Sequence, residues 1–446
     1  MIRLDDHFPL YTEYSPLVPV YCITPSQKPT IHRFYDTSPI SPSGRYFAAT
    51  EFPFENQPPK PGDSASVVVI DLNDGHEVYR SLTAAWDTQL GAQVQWGTTD
   101  SELFFNRMNS ANWIPYGVKI DISNGQELVL EQTVYMVAPD GQSVLSPCLR
   151  RIAHIQPGYG VIVPDLDALT NRGAPNDDGI YIADTTTGHS KLLLSIDDIV
   201  AAQPDTFSKL DLSAGGLYVF HVKWNPQSTR IMFVMRWVGD NKQRKSYLLT
   251  CTASGEDIHT AINAETWQGG HHPNWCPDGE HIIMNLVERT ATGRLTSSKK
   301  LLEKITRKIS QKLGIDFRYN SNDEAMRFYS FRYDGTNQNI LCKPHFGSGH
   351  PTLSPDSKYI LTDSYPRERV AYMDGSVPLR WINLETNKMQ EIVRINSTPS
   401  TKGPKDSLRI DPHPAWVNGK SAIVFNGSDN GSRRVYIALL RDLTRD

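Results

Sequence analysis

Four histidines recur at one place in a repeated phrase of this sequence. Phe220-His221-Val222-Lys223-Trp224 runs into the turn Asn225-Pro226-Gln227-Ser228, and Gly270-His271-His272-Pro273-Asn274-Trp275 runs into Cys276-Pro277-Asp278-Gly279. Gly349-His350-Pro351-Thr352 precedes Ser354-Pro355-Asp356-Ser357, and Asp411-Pro412-His413-Pro414-Ala415-Trp416 precedes Val417-Asn418-Gly419-Lys420. Histidines scattered over a surface do not keep register with a repeat. Imidazoles gathered at equivalent positions without partners would crowd a polar space at a cost, which argues for a shared site. The plainer alternative is a spacer role, each ring bonding backbone carbonyls of a bare scaffold. Asp411 and His413 lie two apart, so on a strand they share a face. With His350 from the neighbouring unit they form a nitrogen and oxygen donor set suited to Mn, Fe, Ni or Zn, with open positions for substrate oxygens. His272 with Cys276 reads as an alternative zinc pair, although a cysteine beside such a turn is usually buried.

The elements that must position these residues follow from the repeat. The same turn phrase appears at Ser41-Pro42-Ser43-Gly44, Trp96-Gly97-Thr98-Thr99-Asp100 and Ala138-Pro139-Asp140-Gly141, which makes seven copies in all. Between them lie short β-branched and aromatic runs, such as Ser66-Val67-Val68-Val69-Ile70-Asp71-Leu72, closed by Asn-Gly, Asp-Gly or Thr-Gly turns. That is hairpin chemistry, and about four short antiparallel strands per unit is a propeller blade. The expected fold is all-β, one seven-bladed β-propeller domain over 1–446. The intervals Pro139 to Pro226 and Pro277 to Pro355 far exceed the roughly 40–50 residues of a bare blade. Insertions are therefore expected at about 150–178 and 290–325. The second carries apolar residues at Leu301, Leu302, Ile305 and Ile309 among lysines and arginines, which predicts an amphipathic basic helix over 297–313.

Bulk properties narrow the class. The 446 residues are 39% hydrophobic and 21% charged, with a net charge of -4 that offers no basic field for nucleic acid. Five cysteines (Cys22, Cys148, Cys251, Cys276, Cys342) are scattered without paired spacing and read as reduced core thiols. No apolar run is long enough to span a membrane, and the acidic start of the chain lacks a secretory h-region, so the expected location is the cytoplasm.

At the histidine phrases the chain resembles the oligogalacturonate lyases, seven-bladed propellers acting on short pectic oligosaccharides. The last blade of that family carries His-Pro-His-Pro, then a turn and a Val-Leu-Phe-Thr-Ser-Asp strand. This chain has Asp411-Pro412-His413-Pro414 and Ala422-Ile423-Val424-Phe425-Asn426-Gly427-Ser428-Asp429. The preceding blade's Ser-His-Leu matches Gly349-His350-Pro351, and Thr-His-Glu-Phe-Trp-x-Pro-Asp-Gly matches the stretch from His271 to Gly279. Phe220-His221-Val222 echoes a Gly-His-Pro strand, and His32-Arg33-Phe34-Tyr35 echoes His-Arg-x-Tyr. The resemblance spans the chain and is concentrated between about residues 218 and 440. It implies His350 and His413 as ligands of a divalent metal, manganese first, and His272 as the proton-abstracting base. Asp411 replaces a ligand histidine, and Leu408 replaces a ligand glutamine. The family arginine has no direct counterpart, so Arg244 or Lys245 is the expected substitute. His221, His271, Trp275 and Arg33 are the expected substrate contacts. Because His271 and His272 are neighbours on a strand, only one is expected to face the site. Trp275 and Trp416, next to the histidines, could stack on sugar faces, and the favoured reading of both is as blade-core tryptophans.

The implied activity is β-elimination on a uronic-acid-containing glycan, with an acidic oligosaccharide as partner. The metal would neutralise the uronate carboxylate, His272 would take the C5 proton, and a basic residue would clamp remaining charge. The competing reading is a non-catalytic propeller of the TolB-like type that binds glycan or protein at its funnel. A peptidase propeller is not expected, since this sequence carries no Gly-x-Ser-x-Gly elbow after its blades.

Overall fold

The computed structural model describes residues 4–289, 324–366, 368–372, 374–398, 406–417, 419, 421–440 and 443. Seven four-stranded antiparallel sheets follow one another as the blades of a propeller. Blades one to six each use four consecutive strands. Blade seven is closed by exchange: the early strand Val20–Cys22 pairs with Ser432–Leu439 as its outermost member, Val20 opposite Ala438. The helix expected over 297–313 lies outside the described residues. Within them, helices occur at Leu149–Ile155, Ile196–Ala202 and Pro204–Phe207. The first belongs to the expected insertion of blade three. Among the described residues no helix is long and apolar enough to cross a membrane.

Two repeated side-chain devices bind blade to blade. Inner-strand tryptophans reach back one blade: Trp96 Nε1 donates to Pro39 O (2.9 Å), Trp275 Nε1 to Lys223 O (3.2 Å) and Trp416 Nε1 to Thr352 Oγ1 (2.9 Å). Second-strand asparagines reach forward: Asn106 Nδ2 to Val134 O (2.8 Å) and Asn285 Nδ2 to Gly349 O (2.9 Å), while Asn426 Oδ1 accepts from His32 N (2.9 Å). Each bond satisfies a buried inner-strand group that the widening gap between blades would otherwise strand.

Blade one departs from the pattern in a way that shapes the centre. Its innermost strand starts at Thr30–Ile31, leaves the ladder, and rejoins at the Ile40–Phe47 bridge. The excursion plugs the channel. Asp36 is buried with Arg33 (2.6 Å) and with Lys223 of blade four (2.9 Å), and Lys223 Nζ also donates to Pro273 O (3.0 Å) and Tyr35 OH (3.1 Å). Burial would raise the Asp36 carboxyl, but Lys223 and Arg33 outweigh it and hold it below its ordinary range. Burial pushes Lys223 down to about 8. Charges this deep persist only because each is paired and hydrogen-bonded.

Candidate functional site

The four histidines owe their common aim to a kink in the innermost strands. His221, His272 and His413 have φ of 50°, 59° and 49°, and in blade six the preceding Gly349 takes the turn with φ 59°. The ladder slips at these points, between Phe220 and Lys223 and between His271 and Asn274. Non-glycine residues in this region cost on the order of 1–3 kcal/mol each and concentrate at functional sites. The bulge also defeats the alternation expected of His271 and His272. Both line one cavity of about 410 Å³, together with His221, Tyr159, Arg236, Tyr365, Glu368 and Arg409.

Beneath the cavity the rings pack tightly. His272 stacks on His350 (centroids 3.8 Å, 29°), His350 meets His413 edge-on (4.4 Å), and Phe34 of the plug lies against His413 (4.6 Å). His350, Asp411 and His413, all buried, offer ligand atoms within 4.8 Å of one another. Whether they fit a cation is decided by their unused atoms. His350 Nε2 and both ring nitrogens of His413 are buried without hydrogen-bond partners. His350 Nδ1 bonds the carboxylate of Asp363 (2.9 Å), so it carries the proton and leaves the Nε2 lone pair for a metal. Asp411 shares Oδ2 with Arg409 Nε (2.8 Å), which lessens its donor strength without removing it. The set fits a divalent cation.

Asp363 was not legible as functional from its own surroundings, yet a signal was available. It occupies the second-strand position where other blades carry Asn106, Asn285 and Asn426, and it performs their bridging task by accepting from His413 N (3.1 Å). Blade six alone of these four exchanges the amide for a carboxylate, and its other oxygen, Oδ1, accepts from both the backbone N (2.7 Å) and ring Nδ1 (2.9 Å) of His350, fixing that ring.

His272 Nδ1 lies 2.9 Å from Gly349 O. A carbonyl only accepts, so Nδ1 bears the hydrogen and Nε2 the lone pair. That lone pair faces Tyr365 OH at 3.2 Å. Burial first, then the neighbouring His350 and His271, hold the His272 pKa well below 6.5, so the ring is neutral near pH 7. His221 is likewise depressed, by burial and then Lys223, and its Nδ1 is held by Tyr135 OH (2.6 Å).

The basic residues fall differently from expectation. Arg244 is exposed at the start of its strand, and Lys245 lies over Trp237 (5.7 Å); neither lines the cavity. Two arginines line the cavity: Arg409, which is paired with Asp411, and Arg236, which opposes Ser246 on the next strand. Its Nη1 donates to Gln156 Oε1 (2.8 Å) at the end of the blade-three helix, and among the described residues no carboxylate pairs with it. Burial and then Arg244 lower it to about 10. Sequence reasoning passed over Arg236 because it lies mid-strand in an otherwise apolar run. Arg33 is also corrected: its donors are spent on Gln93, Asp36, Thr37 and Tyr135 O inside the plug. Trp275 is buried between blades, and Cys276 packs with Ile283 and Phe328 in a blade core, its thiol raised to about 12 by burial, so His272 and Cys276 do not form a zinc pair.

Comparison with solved structures places this architecture. A structure of oligogalacturonate lyase in complex with manganese matches 97% of this chain and 96% of its own length, with 12% identity and a TM-score of 0.62. The oligogalacturonate lyase of Vibrio parahaemolyticus matches over the same shares with 12% identity and a TM-score of 0.60. The chain has the fold of these lyases. At this identity the likeness speaks for the fold alone. No family model and no curated protein matches the sequence.

Proposed function

We propose that the protein is a lyase that cleaves uronic-acid-containing oligosaccharides by β-elimination, with His272 as base. The observation that carries this reading is the meeting of a neutral, cavity-lining histidine, His272, with the buried donor set of His350, Asp411 and His413, whose His350 ring stacks directly on it. A divalent ion, manganese first, held by His350, Asp411 and His413 would neutralise the uronate carboxylate and make the C5 proton removable by an imidazole. His272 Nε2 takes that proton. Arg236, lacking a carboxylate of its own, receives the negative charge of the substrate, and Gln156 orients its guanidinium. His221, fixed through Nδ1 by Tyr135, presents its remaining nitrogen to a substrate oxygen. Bulk water is kept from beneath the site by the Phe34 and Tyr35 plug.

The test is incubation of the manganese-loaded protein with a panel of uronate oligosaccharides, following the ultraviolet absorbance of the unsaturated product. A time-dependent rise that His272→Ala abolishes supports the reading. No product from any uronate, with metal content verified, overturns it in favour of a binding propeller.

A further inference from the structure

Tyr365 has a place in the cavity that the base alone does not explain. Its ring is buried, it follows Asp363 by two residues, and it leans over His271, His272 and His350 (centroids 5.6, 6.0 and 5.8 Å). Because His272 Nδ1 donates to Gly349 O, the contact between Tyr365 OH and His272 Nε2 runs from the hydroxyl to the ring. The hydroxyl hydrogen therefore covers the lone pair that must receive the C5 proton. For the base to act, that hydrogen must turn to another acceptor.

Resting on the lyase reading, we infer that Tyr365 is the acid that protonates the leaving oxygen, and that the substrate is a uronate whose C5 hydrogen and C4 oxygen lie on the same face of the ring. The step balances without any further reactant. The C5–H bond breaks and its hydrogen passes to His272 Nε2. The electron pair forms the C4–C5 double bond, and the C4–O bond breaks. Tyr365 gives its hydrogen to the departing oxygen and recovers one from His272 Nε2, restoring both residues. An acid and a base in direct hydrogen-bonding contact stand on one side of a bound sugar. They serve a syn elimination, because an anti elimination requires groups on opposite faces, separated by the ring. Glucuronate and mannuronate have the syn arrangement. Galacturonate, the C4 epimer of glucuronate, has the anti arrangement.

Epimeric substrates make a direct test, since 4-linked glucuronate and galacturonate oligosaccharides yield the same unsaturated terminal residue and one readout serves both. Manganese-loaded wild-type protein should cleave the glucuronate series at least about tenfold faster in kcat/KM, a margin that a single misplaced proton donor readily supplies. Tyr365→Phe should lower kcat about 10²–10⁴-fold with KM little changed. A substrate with fluoride at C4 in the same configuration, which departs without a proton, should be turned over by Tyr365→Phe at close to the wild-type rate. Independently of turnover, the ¹⁵N resonance of His272 Nε2 should shift in Tyr365→Phe as its hydrogen bond is lost. Preference for galacturonate, or a Tyr365→Phe variant with wild-type kcat, overturns the inference while leaving the lyase reading intact. Absence of product from both epimers removes the lyase reading and the inference with it. The epimer comparison needs only the wild-type chain, so a variant that failed to fold would not shield the idea.

Discussion

Blades four to seven and blades one to three share a backbone and differ in what they hang on it. Three residues before the turn-flanking position of each innermost strand, the first group carries His221, His272, His350 and His413, and the second carries Thr37, Gln93 and Val134. Gln93 has the same left-handed kink as the histidines, with φ 60°. Its Oε1, however, accepts from Arg33 Nε (2.8 Å) and helps hold the plug. The kink is thus not tied to the histidines, since blade two adopts it with a glutamine. What differs is the use: in blade two it anchors a buried structural network, while in blades four and five it aims His221 and His272 at a cavity and in blade seven it turns His413 beneath it. Fold and chemistry separate at the level of a single repeat position.

The largest effect expected on this contrast comes from His272→Ala, which should reduce turnover of a uronate substrate about 10²–10⁴-fold while circular dichroism and bound metal stay unchanged. Loss of metal from that variant would mean that His272 belongs to the ligand set and not to the chemistry. In the opposite half, Asp36→Ala leaves Lys223 and Arg33 buried without their counter-charge and should cost about 3–5 kcal/mol in urea unfolding. A cost under about 1 kcal/mol would show that the plug is not held by its charges.

Asp363→Asn restores the residue that other blades use at this position. It should preserve the bridge to blade seven but weaken metal binding about 10–100-fold, read by calorimetric titration with Mn²⁺. Unchanged affinity would detach Asp363 from the candidate centre. The smallest effect concerns pH. Burial holds His32 at about 4 in the folded chain, and a histidine in the unfolded chain titrates near 6.5. With the folded value depressed, its contribution is fully present above about pH 6.5 and is lost as the pH falls through the window down to about 4. At about pH 5 His32 alone removes roughly 1–2 kcal/mol, so the urea midpoint of metal-free protein should fall between about pH 7.5 and 5. A flat midpoint would contradict the burial that sets the shift.

Much of this was legible because a repeat announces itself. Seven turn phrases named the propeller, and the register of His221, His272, His350 and His413 named the convergence. Three things were not legible for physical reasons. Strand alternation misassigned His271, because a bulge presents both neighbours to one cavity and periodicity has no symbol for a bulge. Arg33 looked like a substrate contact until the excursion from blade one's ladder buried it beside Asp36. Arg236 and Tyr365 arrive at the cavity through tertiary placement, one mid-strand and one two residues past a strand end, where no local pattern marks them.

The closure of blade seven has a consequence for how the molecule comes into being. Val20 must find Ala438, a partner synthesised more than four hundred residues later, and Asp411 and His413 lie on the blade that this meeting completes. Pairings of such separation carry a large loop-closure entropy and slow the folding of the ring. Until they form, an early strand waits with unpaired edges, exposed to association with other chains. A cation held by the proposed set of His350, Asp411 and His413 would favour the closed ring by mass action, since the open chain offers no comparable set of ligands. Metal supply during synthesis would then bear on the yield of closed propeller, apart from any part the ion plays in the proposed reaction.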